Sequence, residues 1–231
     1  MALLAEADEV AAGDPDLLSA IRGTQGLVAS DGDRLDDAEA SLVESVDLAR
    51  SAGKRRQAAW SLSMLGRVHL LRGDLDHARA ALDDSLTLTN DERWTSFRPW
   101  AAAFRSEAEL LAGRDADAVM RDMQEAYALS CQIGDPCWEG ATGRVVALTL
   151  QSQSRSDQAL RWATEARRRA FRVGDRHYCW VCGSTLLTEA EIARSTGDGD
   201  QATAAIIALQ RLAAATDMPY LLRRATALAQ A

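Results

Sequence analysis

Residues 60–88 read WSLSMLGRVHLLRGDLDHARAALDDSLTL. Apolar side chains recur there at helical spacing: Leu62, Leu65, Val68, Leu70 and Leu71, then Leu75, Ala78, Ala81, Leu82 and Leu86. Between the two runs stands Arg-Gly-Asp, and Gly73 is suited to the left-handed backbone that closes a helix. The stretch predicts two amphipathic helices folded back on one another, each with an apolar stripe.

The same unit recurs along the chain. Aligned on a small residue early in each second helix, the copies fall at Ala38, Ala78, Ala118, Ala159 and Ala202, with spacings of 40, 40, 41 and 43. Twelve residues upstream of each stands another small residue: Gly26, Gly66, Ser106, Ala147 and Ala190. Small residues at both points let two helices cross closely. Turn-forming stretches lie between them, among them SDGD, AGRD, QSRS and STGDGD. Residues 2–12 read as a leading helix. The last stretch, TDMPYLLRRATALAQA, reads as a capping helix with Asp217 as its cap and Pro219 in its first turn. The expectation is an all-α, right-handed α-solenoid with a period of about 40 residues. It forms a single domain over residues 1–231, with about five hairpins between the leading and capping helices.

The pattern Leu62, Leu65, Gly66, His69, Ala78, Leu82 and Ser85 resembles the tetratricopeptide repeat, with a longer period than the ~34 residues of that family. Long helices of this kind in an Ala- and Arg-rich chain also look like the C-terminal repeats of MalT-like, LuxR-type ATP-dependent transcriptional regulators. In those proteins an ATPase module precedes the repeats and a DNA-binding helix-turn-helix often follows. Neither is visible here: GKRR at Gly53 lacks the upstream glycine and the following hydroxyl of a phosphate loop. The resemblance implies a non-enzymatic sensor or interaction domain of a transcriptional regulator. A free-standing adaptor that binds another protein is the other reading.

Bulk properties agree with a binding module. The 231 residues are 47% hydrophobic with only four prolines, which suits helices with a buried core. Net charge is −8, with 21 acidic and 13 basic residues up to Asp115 and 13 of each after it. An acidic chain is poorly suited to hold nucleic acid directly. The one basic run, Arg167, Arg168, Arg169, Arg172 and Arg176, reads as a solvated helix face. No apolar run approaches a membrane span, and the acidic start MALLAEADEV lacks a leader's apolar region. A cytoplasmic setting is expected, with no cofactor.

Tryptophan is the commonest aromatic residue, six against three Phe and three Tyr. Trp60 and Trp100 each lie eighteen residues before their alignment alanine. Trp138 and Trp180 lie three and four residues earlier in their repeats, which keeps the same helix face. The resemblance places that face in the concave groove. Two readings stand: an aromatic ladder for a protein or small-molecule ligand, or core packing between repeats. Arg67, Glu107 and Arg144 lie further along the same face, as partners for a polar ligand or for one another. A homo-oligomer is compatible with such a surface.

The thiols offer a weaker site. Cys131, Cys137, Cys179 and Cys182 fall near two repeat junctions, and His177 adjoins the C-x-x-C pair. Structural zinc needs four converging ligands, and paired C-x-x-C spacings are its usual mark. Only one pair has that spacing, so the residues read as packing groups, with Cys179, Cys182 and His177 the remaining metal candidates. Histidines 69, 77 and 177 are scattered, and no nucleophile elbow or H-E-x-x-H pattern occurs. No catalytic residue is therefore assigned. Elemental analysis of the purified protein is expected to give less than one zinc per chain; one tightly held zinc would refute the packing assignment.

Overall fold

The structure, a computed structural model, describes Ala11, residues 13–172 and residues 178–230. The expected leading helix over residues 2–12 lies outside these apart from Ala11, as does His177. The described residues form eleven α-helices and no strand. They are α1 (Pro15–Asp31), α2 (Leu35–Ser51), α3 (Arg55–Arg72), α4 (Leu75–Asp91), α5 (Arg98–Leu111), α6 (Ala116–Ile133), α7 (Pro136–Ser152), α8 (Ser156–Ala170), α9 (Cys179–Ser195), α10 (Gly199–Ala215) and α11 (Pro219–Gln230). The all-α repeat class read from residues 60–88 is the observed one, and the hairpin of that stretch is α3 and α4.

The helices start and stop for local reasons. Aspartates cap five N-termini: Asp14, Asp74, Asp115, Asp135 and Asp198 each accept a backbone N–H from the first turn that follows. Asp217 does not cap α11. It adopts a left-handed φ of 51° in the turn, and the carbonyl of Met218 accepts from Leu222 instead. Nine of the ten junctions between consecutive helices, all but the one between α8 and α9, contain one left-handed residue among the described residues. At five of them it is glycine, including Gly73 with φ 77°; at Asp33, Arg93, Ser154 and Asp217 the chain accepts the same conformation without glycine.

The chain divides into two compact units, up to Ala108 and from Glu109. In the first, α1 lies against α2, α2 against α3 and α3 against α4. In the second, α6 to α11 stack consecutively. First helices of successive hairpins also touch: α1 with α3, α7 with α9, and α9 with α11. That extra neighbour explains their deeper burial. Every residue of α9 from Trp180 to Ala190 is buried, whereas α10 buries only one face.

Inside the first two hairpins the crossing is close because one side chain is missing. A Cβ on Gly26 would stand 2.5 Å from Cγ of Leu42, and one on Gly66 would stand 2.4 Å from Cγ of Leu82. Beside these contacts a serine ties the two helices together. Ser45 donates to the Ser19 carbonyl at 2.6 Å, and Ser85 donates to the Ala59 carbonyl at 2.7 Å. The buried row is Ala38, Leu42, Ser45 and Ala49 in α2 and Ala78, Leu82, Ser85 and Thr89 in α4. In α6 it is Val119, Met123, Ala126 and Ser130. The third copy is therefore registered on Val119, not on Ala118, which is only half-buried.

Gly66→Ala separates two opposing effects. Alanine favours helix over glycine by about 1 kcal/mol, but its methyl collides with the fully buried Leu82, and overpacking costs about 1–3 kcal/mol. Urea unfolding is expected to show a net loss, and adding Leu82→Ala should cost less than the sum of the single changes.

Candidate functional site

The structure divides the expected ladder. Trp60, Trp100, Arg67 and Glu107 belong to the first unit; Trp138, Arg144 and Trp180 belong to the second. Trp100 is 1% exposed, with its ring edge-on to Phe104 at 4.7 Å. Trp180 is 5% exposed and tilted against Tyr220 at 5.8 Å. Both belong to the core. Trp60 and Trp138 are half-buried. Part of the Trp60 ring covers α1, where a Cβ on Gly23 would meet it at 2.8 Å. Trp138 stands in the first turn of α7, its backbone N–H donating to the Asp135 cap at 3.2 Å.

The polar candidates separate in the same way. Arg67 is 1% exposed; it bonds Asp31 at 2.6 Å and the hydroxyl of Ser30, joining α3 to the end of α1. It acts as an internal tie, not as a groove wall. Glu107 and Arg144 remain half-buried at the surface.

The thiols differ in setting: Cys131 is exposed and accepts from Arg169 at 3.7 Å, Cys137 and Cys179 are half-buried, and Cys182 is buried. Burial pushes the Cys182 thiol up to about 12, with the Cys179 thiol adding to the shift. Burial also raises the Cys137 thiol far above its usual range, helped by Asp135 and by Cys182. Thiols held protonated in this way are poor nucleophiles and poor metal ligands. Cys182 instead donates to the Ala170 carbonyl at 3.5 Å. Among the described residues no group of three or more His, Cys, Asp or Glu could hold a metal ion. His69 is buried; desolvation lowers its pKa below the usual 6.5.

Two carboxylates that the sequence reading did not single out organise the second unit. Glu139 of α7 is 1% exposed and takes Arg169 of α8 at 2.7 Å and Arg172 at 3.0 Å. Glu189 of α9 is 2% exposed and takes Arg167 of α8, Thr164 at 3.0 Å and Gln201 of α10 at 2.8 Å. Arg168 closes a two-pronged bridge on Glu165, both contacts at 2.7 Å. The basic run of α8 is thus neutralised within the fold rather than displayed to a polyanion. Glu189 carried a weak signal in the sequence: it is the first charge after the uncharged stretch 181–188.

On the outer side of α8 two concavities open. One of about 230 Å³ is lined by Gln158, Arg161, Trp162 and Glu165. There Trp162 meets Tyr127 edge-on at 4.9 Å, and the Arg169 guanidinium lies 5.9 Å from the tyrosine ring. The other, of about 390 Å³, is lined by Asp157, Leu160, Arg161, Thr164 and Gln201.

Comparison with known proteins agrees with this geometry. Residues 17–91 match the tetratricopeptide repeat family. No curated protein matches the sequence. The chain is similar in structure to a Rap protein complexed with Competence and Sporulation Factor, at 12% identity and a TM-score of 0.72, over 90% of this chain and 57% of that one. It is also similar to BtubC (BKLC) from P. vanneervenii, at 14% identity and a TM-score of 0.63, over 93% of this chain and 88% of that one. A third likeness is to aspartyl phosphate phosphatase F from Bacillus subtilis, at 13% identity and a TM-score of 0.61, over 94% of this chain and 57% of that one. At these identities the likeness is one of fold. The chain spans 57% of the length of the Rap protein and of the phosphatase. The protein has a tetratricopeptide-like helical-repeat fold. Among the described residues no helix is long and apolar enough to cross a membrane.

The Arg168 and Arg169 hydrogen bonds hold the Glu165 carboxyl at about 2, against the opposing effect of burial. Its unfolded value is 4.5, so the stabilisation is complete above that pH and fades as the pH falls from 4.5 toward about 2. Denaturant unfolding as a function of pH should show this acid-side loss, and Glu165→Gln should shrink it.

Proposed function

We propose that the chain is a non-enzymatic protein-binding scaffold, the sensor or interaction part of a larger transcriptional regulator. The observation that carries this reading is the pair of half-buried tryptophans, Trp60 and Trp138, at the N-terminal ends of first helices in the two units. Each leaves part of an indole open beside polar groups, a combination that recurs in protein-binding hot spots. Arg144, six residues beyond Trp138, adds a cation on the same helix. The fold supports the reading too, since one similar structure, the Rap protein, was solved with Competence and Sporulation Factor bound. The regulator setting rests on the resemblance of the long, Arg-rich repeats to MalT-like, LuxR-type proteins.

A photo-activated cross-linker placed at position 144 is expected to capture one discrete polypeptide in cells of the source organism. A cross-linker at Arg211, on the outer helix α10, should not. Trp138→Ala should reduce the capture severalfold without loss of helical signal. Equal capture from both positions, or capture indifferent to Trp138, would reject the first-helix surface.

A further inference from the structure

The concavity of about 390 Å³ along α8 reaches Gln201 of α10. Its walls include Asp157 and Arg161, one helical turn apart on α8. An acid four residues before a base is the arrangement that ordinarily closes into a pair. Here the two are not paired with one another, and neither side chain has a hydrogen-bond or ion-pair partner. The contrast within α8 is sharp: Arg167, Arg168 and Arg169 are all engaged by glutamates, whereas Arg161 stays open. An open carboxylate and an open guanidinium thus face the same small space.

The floor of that space is fixed. Gln201 of α10 donates to Thr164 at 2.8 Å, and both side chains donate to the buried Glu189, which Arg167 also holds. Leu160 supplies an apolar wall. The volume lies at the lower end of the range for small-molecule sites. It has room for a charged head group and a modest side chain.

We propose that this concavity binds a free amino acid. The ammonium is taken by Asp157, the carboxylate by the Arg161 fork, and the side chain lies along Leu160 toward Thr164 and Gln201. A free amino acid fits because it has both charges on one carbon, matching opposite charges on side chains one turn apart. The site lies on the second helices, away from the first-helix surface assigned to a protein partner. It would give the scaffold a small-molecule input: a ligand that bridges α8 and α10 stabilises the folded second unit by mass action.

The test is calorimetric titration of the full chain at pH 7 with the proteinogenic amino acids added singly. At least one should bind saturably. Its N-acetyl and its C-amide derivatives should each bind at least about tenfold more weakly, because each lacks one charge-assisted contact. Asp157→Asn and Arg161→Met should weaken binding by a similar factor with an unchanged circular dichroism spectrum, since both side chains are exposed. The bound amino acid should also raise the thermal midpoint of the parent chain and not that of either variant. Absence of saturable binding by every free amino acid overturns the proposal. So does binding that survives both substitutions, or glycyl-leucine binding where no free amino acid binds. Loss of cross-linking from position 144 would leave these outcomes unaffected, so the two assignments fail separately.

Discussion

The rest of this structure depends on a missing methyl. Gly26 and Gly66 let Leu42 and Leu82 sit directly over the backbone of the partner helix. Once that approach is made, Ser45 and Ser85 reach the opposite carbonyls and the two helices become one unit. Each unit still has an uncovered apolar face, which it buries only by stacking on the next. The same device reappears within the α7–α8 hairpin and between α9 and α11. Gly140 lies under Ala170, and Gly183 lies under Leu221, where added Cβ atoms would stand at 2.8 and 2.4 Å. Close approach of backbones, repeated along the chain, fixes where every other side chain goes.

Charge is managed in a correspondingly local way. Arginine takes nearly all the basic positions, and its planar fork can serve two carboxylate oxygens or two partners at once. Arg169 reaches Glu139 at 2.7 Å and Glu165 at 2.6 Å, linking α7 to α8. In the first unit Arg67 links α3 to α1, and Arg55 reaches Asp91 and Glu92 at 2.6 and 2.7 Å. The buried ends of these pairs leave no carboxylate desolvated without a partner, which would otherwise be costly. Among the groups this accounting leaves for binding are the half-buried Trp60 and Trp138 and the pair Asp157 and Arg161.

The likeness to Rap-type and other tetratricopeptide-like structures fits this division of labour. Such a scaffold uses its helix crossings for stability, which frees surface positions to vary. In this chain α7 touches α9 and α9 touches α11 in addition to their sequence neighbours, so few residues of α9 are spare. The two concavities of the second unit open along α8.

Much of the fold was legible in the sequence because its causes are local. Apolar spacing, Gly73 at a turn and the small residues near a period of 40 are properties of short stretches, and they determined the all-α hairpin repeat. Register was less secure: where Val119 replaces a small residue, the neighbouring Ala118 mimics the signal one position early. The candidate site was legible only as a set of residues. Trp60, Trp100, Trp138 and Trp180 share a helix face, but the sequence could not say which indoles the next helix would cover. That depends on contacts between residues some forty positions apart, such as Trp180 with Tyr220. Likewise the run of three arginines at the end of α8 looks like an exposed basic face until Glu139 and Glu189 arrive from α7 and α9. The sequence by itself determined the repeat and its helices, because these follow from local periodicity. Only the tertiary structure decided which charges are spent and which stay open, because ion pairs depend on distances between helices.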